Sequence, residues 1–186
     1  TVRAKLVSVD DSRVATGRDF EEAMAEVGLD DEAAIARLAP AGAIYFLMDP
    51  ADVGRIFSHP LTMVGSDGLP FDPHPHPRQW GTFTNVLRAM VREQGLLTLE
   101  TAIHKMTGLS ARTFRLKDRG VLAEGSFADL VVFDPETVID RATYDRPKEL
   151  SAGIDQVFVN GILAYAAGST NVRRAGRLVG GRAEPR

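Results

Sequence analysis

Leu61-Thr62-Met63-Val64-Gly65-Ser66-Asp67-Gly68 is the stretch on which the reading of this chain turns. A short apolar run of strand-like residues ends in a carboxylate with glycine close on either side. The sequence then opens into Leu69-Pro70-Phe71-Asp72-Pro73-His74-Pro75-His76-Pro77-Arg78-Gln79-Trp80-Gly81. Sites in α/β proteins are built this way: a rigid strand aims one charged side chain past its carboxyl end, glycines admit backbone or ligand, and prolines hold a long loop without regular structure. Asp67 is therefore the candidate catalytic residue, with Ser66 and Gly68 beside it as candidate substrate contacts. An aspartate after a strand also serves as an Asx-turn or helix cap. The loop favours function, because a dozen residues without regular structure are uncommon outside binding loops or disorder.

Upstream, Ala43-Ile44-Tyr45-Phe46-Leu47-Met48 is a near-continuous apolar run ending at Asp49-Pro50, and such runs suit a parallel strand covered on both faces. Asp49 is placed to cap a helix with Pro50 in its first turn, Val53, Ile56 and Phe57 facing inward and His59-Pro60 as the stop. With Leu61 to Val64 as the next strand, this is a βα unit returning to a parallel sheet, the repeat of α/β barrels and doubly wound folds. Earlier still, residues 2–9 alternate as a half-buried strand. Asp19 with Glu22 resembles a capping box, Phe20, Ala23, Met24 and Val27 share a helical face, and Gly28 ends that helix. A second helix runs from Asp30 or Asp31 to Leu38, before Pro40.

Downstream, Thr82 is expected to cap a helix carrying Phe83, Val86, Leu87, Met90 and Val91 on one face and closing at Gly95. Thr98 caps another, with Leu99, Ala102, Ile103 and Met106 inward and Gly108 at its end, followed by a helical turn over 110–114. His104 reads as a packed or surface residue. After Lys117 the period changes from 3.6 to 2: residues 128–134 form a strand stopped by Pro135. Ile154–Val159 and Ile162–Tyr165 form a hairpin, because Asn160-Gly161 accepts the positive φ of a type I′ turn. Arg173 to Val179 is a candidate edge strand and 180–186 a disordered tail. The chain thus divides into residues 1–117, α/β, and 118–186, β.

The 186 residues carry a net charge of -3, and their lysines and arginines are scattered, which argues against nucleic acid as a partner. No run of eighteen apolar residues is present to span a membrane, and the N-terminus lacks a secretory pattern. Absence of cysteine excludes disulfides and thiolate zinc ligands and points to the cytoplasm. The chain opens on Thr1-Val2-Arg3 rather than Met, and is expected to be cut from something longer.

Four segments carry a family resemblance: Gly65 to Pro70, His76 to Phe83, Leu99 to Ala102, and Lys105 to Gly108. Together they resemble the C-terminal part of N-acyl-D-amino-acid deacylases, the D-aminoacylases of the amidohydrolase superfamily. Gly120 to Asp134 is similar to the closing segment shared by many amidohydrolases. The resemblance implies the C-terminal fragment of a metal-dependent (β/α)₈ barrel, followed by strands of a small β-sandwich. It implies zinc as cofactor, hydrolysis of the amide of N-acyl-D-amino acids, and a small-molecule substrate as partner. Asp67 matches the aspartate closing the eighth barrel strand, which acts as general base on a metal-bound water, protonates the leaving amine and sometimes touches the metal itself. Zinc chemistry suits that arrangement, since the ion acidifies its water and a carboxylate relays the proton.

Arg78, held by Pro77, is a candidate for binding the free carboxylate of an acyl amino acid; a surface arginine is the equal alternative. His74 and His76 imitate a His-x-His metal motif but follow the catalytic-type Asp, and they read as loop residues at the rim of the site. A whole barrel takes ~250 residues, so most metal ligands are expected upstream and the isolated chain is expected to be inactive. Half a barrel would expose strand edges and be open to self-association as a homo-oligomer. Two rival readings are a cyclic amidohydrolase of the hydantoinase or dihydroorotase kind, and a non-catalytic binding or assembly module.

Overall fold

The structure, a computed structural model, describes residues 3–8, 16–28, 30–69, 71–169 and 174–179. The expectations for Val2, Val9, Pro70, Arg173 and the tail fall outside these residues. The chain forms two units, one comprising Thr1–Val53, Ser66–Trp80 and Ala142–Glu149, the other Gly54–Gly65, Gly81–Arg141 and Leu150–Arg186.

In the first unit, β1 (Ala4–Ser8) pairs with β2 (Gly42–Tyr45), Ala4 opposite Tyr45 and Leu6 opposite Ala43. The pairing is antiparallel, which corrects the expected parallel strand over Ala43–Met48. Tyr45, Leu47 and Met48 are exposed, so the apolar run is not covered on both faces. Helices α1 (Phe20–Val27) and α2 (Asp31–Leu38) supply Ala23, Met24, Ala34 and Leu38 to a core around Leu6, with Phe20 packed against it. Gly28 closes α1 at φ 65°. The capping box does not form: Asp19 makes no cap bond, and its carboxylate accepts from Arg3 at 3.1 Å instead. Asp30 does cap α2, accepting from the Ala33 N–H at 2.9 Å.

Helix α3 (Pro50–Ser58) begins as read, with the Asp49 carboxylate accepting from the N–H groups of Ala51 at 2.7 Å and Asp52 at 3.3 Å. Its inward face is narrower than expected, because Ile56 is exposed and only Phe57 packs on the core of the second unit. Leu61–Val64 is not a strand. Its main chain is taken up by a turn, Thr62 N–H to His59 O at 3.0 Å, and by the Val64 N–H to Lys105 O at 3.4 Å. The Lys105 ammonium donates to the carbonyls of His59 and Thr62. That side chain is buried at 2% exposure, and burial pushes its amine below the ordinary lysine value. Burying an amine is tolerable only with such acceptors.

Helix α4 (Arg78–Asn85) starts before the expected Thr82 cap, directly after Pro77, and continues as a π-helix over Val86–Glu93. The π-helix, in which the Gln94 N–H bonds to Ala89 O, buries Val86 and Leu87 and packs Val91 on the core as the expected face required, and adds Ala89 to the buried side; Phe83, in α4 before it, is exposed. Thr98 caps α5 (Leu99–Met106), accepting from the Thr101 N–H at 3.2 Å; α6 (Gly108–Thr113) follows, and His104 lies on the surface. Val86, Leu87, Leu97, Ala102 and Val138 form the core. Strands β3 (Leu130–Phe133), β4 (Ile154–Val159) and β5 (Ile162–Ala166) make an antiparallel sheet in that order. Asn160 and Gly161 turn the hairpin at φ 51° and 78°, as the sequence requires. Residues 174–179 do not form the expected edge strand. The Asn160 side-chain amide donates to Ala175 O at 2.7 Å, a side-chain tether in place of a ladder.

Candidate active site

Asp67 projects from an irregular segment in the left-handed region, at φ 47°, a conformation aspartate tolerates better than most residues. Its carboxylate is largely exposed and lies 2.9 Å from the Arg78 guanidinium. The sequence distance of eleven residues is closed by the proline loop. The Gly68 N–H donates to Ser66 Oγ at 3.4 Å, tightening the turn around Asp67. A methyl at Gly68 would displace the Gln79 carboxamide and come within 3.2 Å of Gln79 Cα, so the loop approaches the head of α4 closely at this glycine. The structure thus brings Ser66, Asp67, Gly68 and Arg78 together within one unit.

Beside Arg78 opens a cavity of about 680 Å³, lined among others by Phe46, Met48, Asp72, His76 and Tyr144. His76 Nδ1 accepts from the Arg78 main-chain N–H at 3.0 Å. Burial pushes its imidazole below the ordinary histidine value, the Arg78 charge adds to that, and Asp67 pulls the other way. His74 faces elsewhere: its Nε2–H donates to the Tyr144 carbonyl at 2.6 Å. Both histidines are thus engaged by main-chain groups, His76 by the Arg78 N–H and His74 by the Tyr144 carbonyl. Tyr144 and Asp72 escaped the sequence reading, since no period or spacing relates residue 144 to this loop.

An exposed carboxylate against a guanidinium can exchange a proton with a bound water, and the guanidinium can bind an anion. Among the described residues, no group of three or more His, Asp or Glu side chains could hold a metal ion. One carboxylate already paired with a cation does not make a metal site by itself.

Residues 11–165 match the family model described as the amidohydrolase family. An N-acyl-D-aspartate deacylase of Alcaligenes xylosoxydans xylosoxydans is 69% identical over 165 residues, covering 89% of this chain and 33% of the relative. A crystal structure of D-aminoacylase, described as defining a novel subset of amidohydrolases, matches 96% of this chain and 38% of its own at 48% identity, with a TM-score of 0.89. An N-acyl-D-glutamate deacylase from Bordetella bronchiseptica, solved with zinc and a phosphonate mimic of the tetrahedral intermediate, matches 93% of this chain and 37% of its own at 49% identity, with a TM-score of 0.87. The chain spans about a third of the length of the curated relatives it matches.

Proposed function

The chain belongs to the amidohydrolase family, and from that premise we propose that it is the part of an N-acyl-D-amino-acid deacylase that carries the general base and the substrate-carboxylate anchor. The observation that carries this reading is the exposed Asp67 carboxylate held 2.9 Å from the Arg78 guanidinium, which lines the cavity. Support comes from the deacylases it resembles, the one acting on N-acyl-D-aspartate at 69% identity.

In this reading residues 1–117 belong to a (β/α)₈ barrel and 118–186 to a small β-sandwich. Zinc, named with the Bordetella relative, would take its ligands mainly from outside the described residues, with Asp67 at most one of them, and when bound would supply the acidity of a water and the polarisation of a carbonyl. Asp67 accepts the proton of the attacking water and returns it to the leaving amine nitrogen. Arg78 binds the free carboxylate of the acyl amino acid, a charge-assisted bond of ~1.5–3 kcal/mol. Ser66 and Gly68 shape the turn against which the substrate lies. The cysteine-free composition accords with a cytoplasmic protein.

The whole protein, assayed with zinc against N-acetyl-D-aspartate, N-acetyl-D-glutamate and a neutral N-acetyl-D-amino acid, is expected to release free D-amino acid, and to stop on chelation. Turnover of hydantoins or dihydroorotate in preference to all three would replace this reading. The variant Arg78→Ala is expected to raise KM; an unchanged kcat/KM would remove Arg78 from its role.

A further inference from the structure

His76 occupies the place of a helix-capping side chain. The residues that ordinarily accept an N–H at the head of a helix are Ser, Thr, Asp and Asn; here an imidazole Nδ1 accepts from Arg78, the first residue of α4, at 3.0 Å. Pro77 between them has no N–H of its own and holds φ at the helical value. The bond therefore satisfies one of the unpaired donors at the start of α4. It also holds the main chain from which the Arg78 guanidinium reaches Asp67.

The ring is itself braced. Tyr144 meets it edge-on with centroids 5.3 Å apart, and the same tyrosine meets Phe46 at 4.8 Å. Tyr144 in turn is tied down on both sides: its carbonyl accepts from His74 at 2.6 Å, and the neighbouring Asp145 accepts from the nearly buried Lys5 ammonium at 2.9 Å. The segment Ala142–Glu149 so forms a strap whose aromatic side chain presses on the cap of α4. An imidazole whose Nδ1 is occupied by the main chain is not poised as a base through that atom. Its geometry is that of a part that orients its neighbour.

We propose that His76, braced by Tyr144, is a positioning residue that caps α4 and sets the Arg78 guanidinium for the substrate carboxylate. The inference rests on the role given to Arg78 above, and its test separates the two. In the full chain, His76→Ala removes both acceptor and ring, whereas His76→Asn returns an acceptor to the Arg78 N–H without the ring.

The expected results are a KM for N-acetyl-D-aspartate about tenfold higher in His76→Ala, the change for ~1.4 kcal/mol of lost binding, with kcat within about twofold, and recovery of most of that loss in His76→Asn. Tyr144→Leu is expected to raise KM by a smaller factor. Amide hydrogen exchange at Arg78, read by NMR, is expected to be slow in the parent and His76→Asn and fast in His76→Ala. The proposal is overturned if His76→Ala keeps the parent KM, if His76→Asn is no better than alanine, or if kcat collapses while KM holds. If no form turns over substrate, the deacylase reading fails, and the Arg78 exchange rates alone decide: equal rates in all three forms overturn the positioning role, and the stated pattern upholds it.

Discussion

Two arginines ten residues apart each meet an aspartate, and the two pairs are built differently. Arg88 grips Asp140 side-on, Nε to Oδ1 at 2.6 Å and Nη2 to Oδ2 at 3.3 Å, while Asn85 donates to Oδ2 at 3.0 Å and Glu93 takes the remaining Arg88 nitrogen at 2.7 Å. The Asp140 side chain is 10% exposed; Asp67 is 81% exposed and meets Arg78 through one short contact. Burial pushes the Asp140 carboxyl up, but the Arg88 and Asn85 donors outweigh it and hold the group below the usual carboxylate range. The same grip raises the Arg88 guanidinium. A carboxylate with every oxygen occupied is a fastening. A carboxylate left open, flanked by glycine and held in the left-handed region, is available for chemistry.

The contrast breaks most visibly at Asp67. Asp67→Asn in the whole protein is expected to lower kcat ~10²–10⁴-fold, the usual worth of a general base, while stability stays within about 0.5 kcal/mol, as for an exposed side chain. Retained turnover, or a large loss of stability, would erase the distinction between the pairs.

At Asp140 the order is reversed. Asp140→Ala leaves the Arg88 charge and the Asn85 amide without their acceptor and is expected to cost about 3 kcal/mol in urea unfolding; a loss below 1 kcal/mol would show that burial there is not a fastening. The pair also has an acid signature. Because the folded Asp140 carboxyl lies below its unfolded value of ~3.9, its contribution is present above that pH and is lost as pH falls through the folded value. Melting curves of the parent and Asp140→Asn are thus expected to differ at neutral pH and to converge below about pH 4. A gap that stays constant down to acid pH would assign the stabilisation to something other than the carboxylate charge.

The smallest effect separates two glycines. A methyl at Gly68 crowds Gln79, whereas one at Gly65 meets nothing within 4 Å. Gly68→Ala is expected to cost ~1–3 kcal/mol by overpacking, with a fall in kcat/KM as Asp67 and Arg78 shift. Gly65→Ala is expected to do neither. Equal behaviour would mean that the loop does not depend on its close approach to α4.

Asp67 and Arg78 were legible because their surroundings are local: a glycine-flanked carboxylate, and an arginine locked behind a proline. The caps at Asp49 and Thr98 were legible for the same reason, each needing only an oxygen near an N–H two or three residues on. The capping box at Asp19 shows the limit. Its spacing is correct, but Arg3, sixteen residues away, claims the carboxylate. Likewise Leu61–Val64 has strand composition, yet the main-chain bonds that a strand needs are taken by Lys105 and its carbonyl, over forty residues on. The π-helix after Asn85 keeps Val86, Leu87 and Val91 on the core but adds Ala89 to the buried side, which a 3.6 period does not place there.

The sequence by itself determined what a few consecutive residues can decide: the helix starts at Asp49 and Thr98 and the Asn160-Gly161 hairpin. Those depend on dihedral preferences and on hydrogen bonds that close within a turn. Only the tertiary structure decided that β2 pairs antiparallel with β1, that Lys105 is buried, and that Tyr144 braces the histidine capping the helix of Arg78. Each of these joins groups from about forty to seventy residues apart. The free energy that selects such partners comes from burial and main-chain pairing across the fold, which no local window contains.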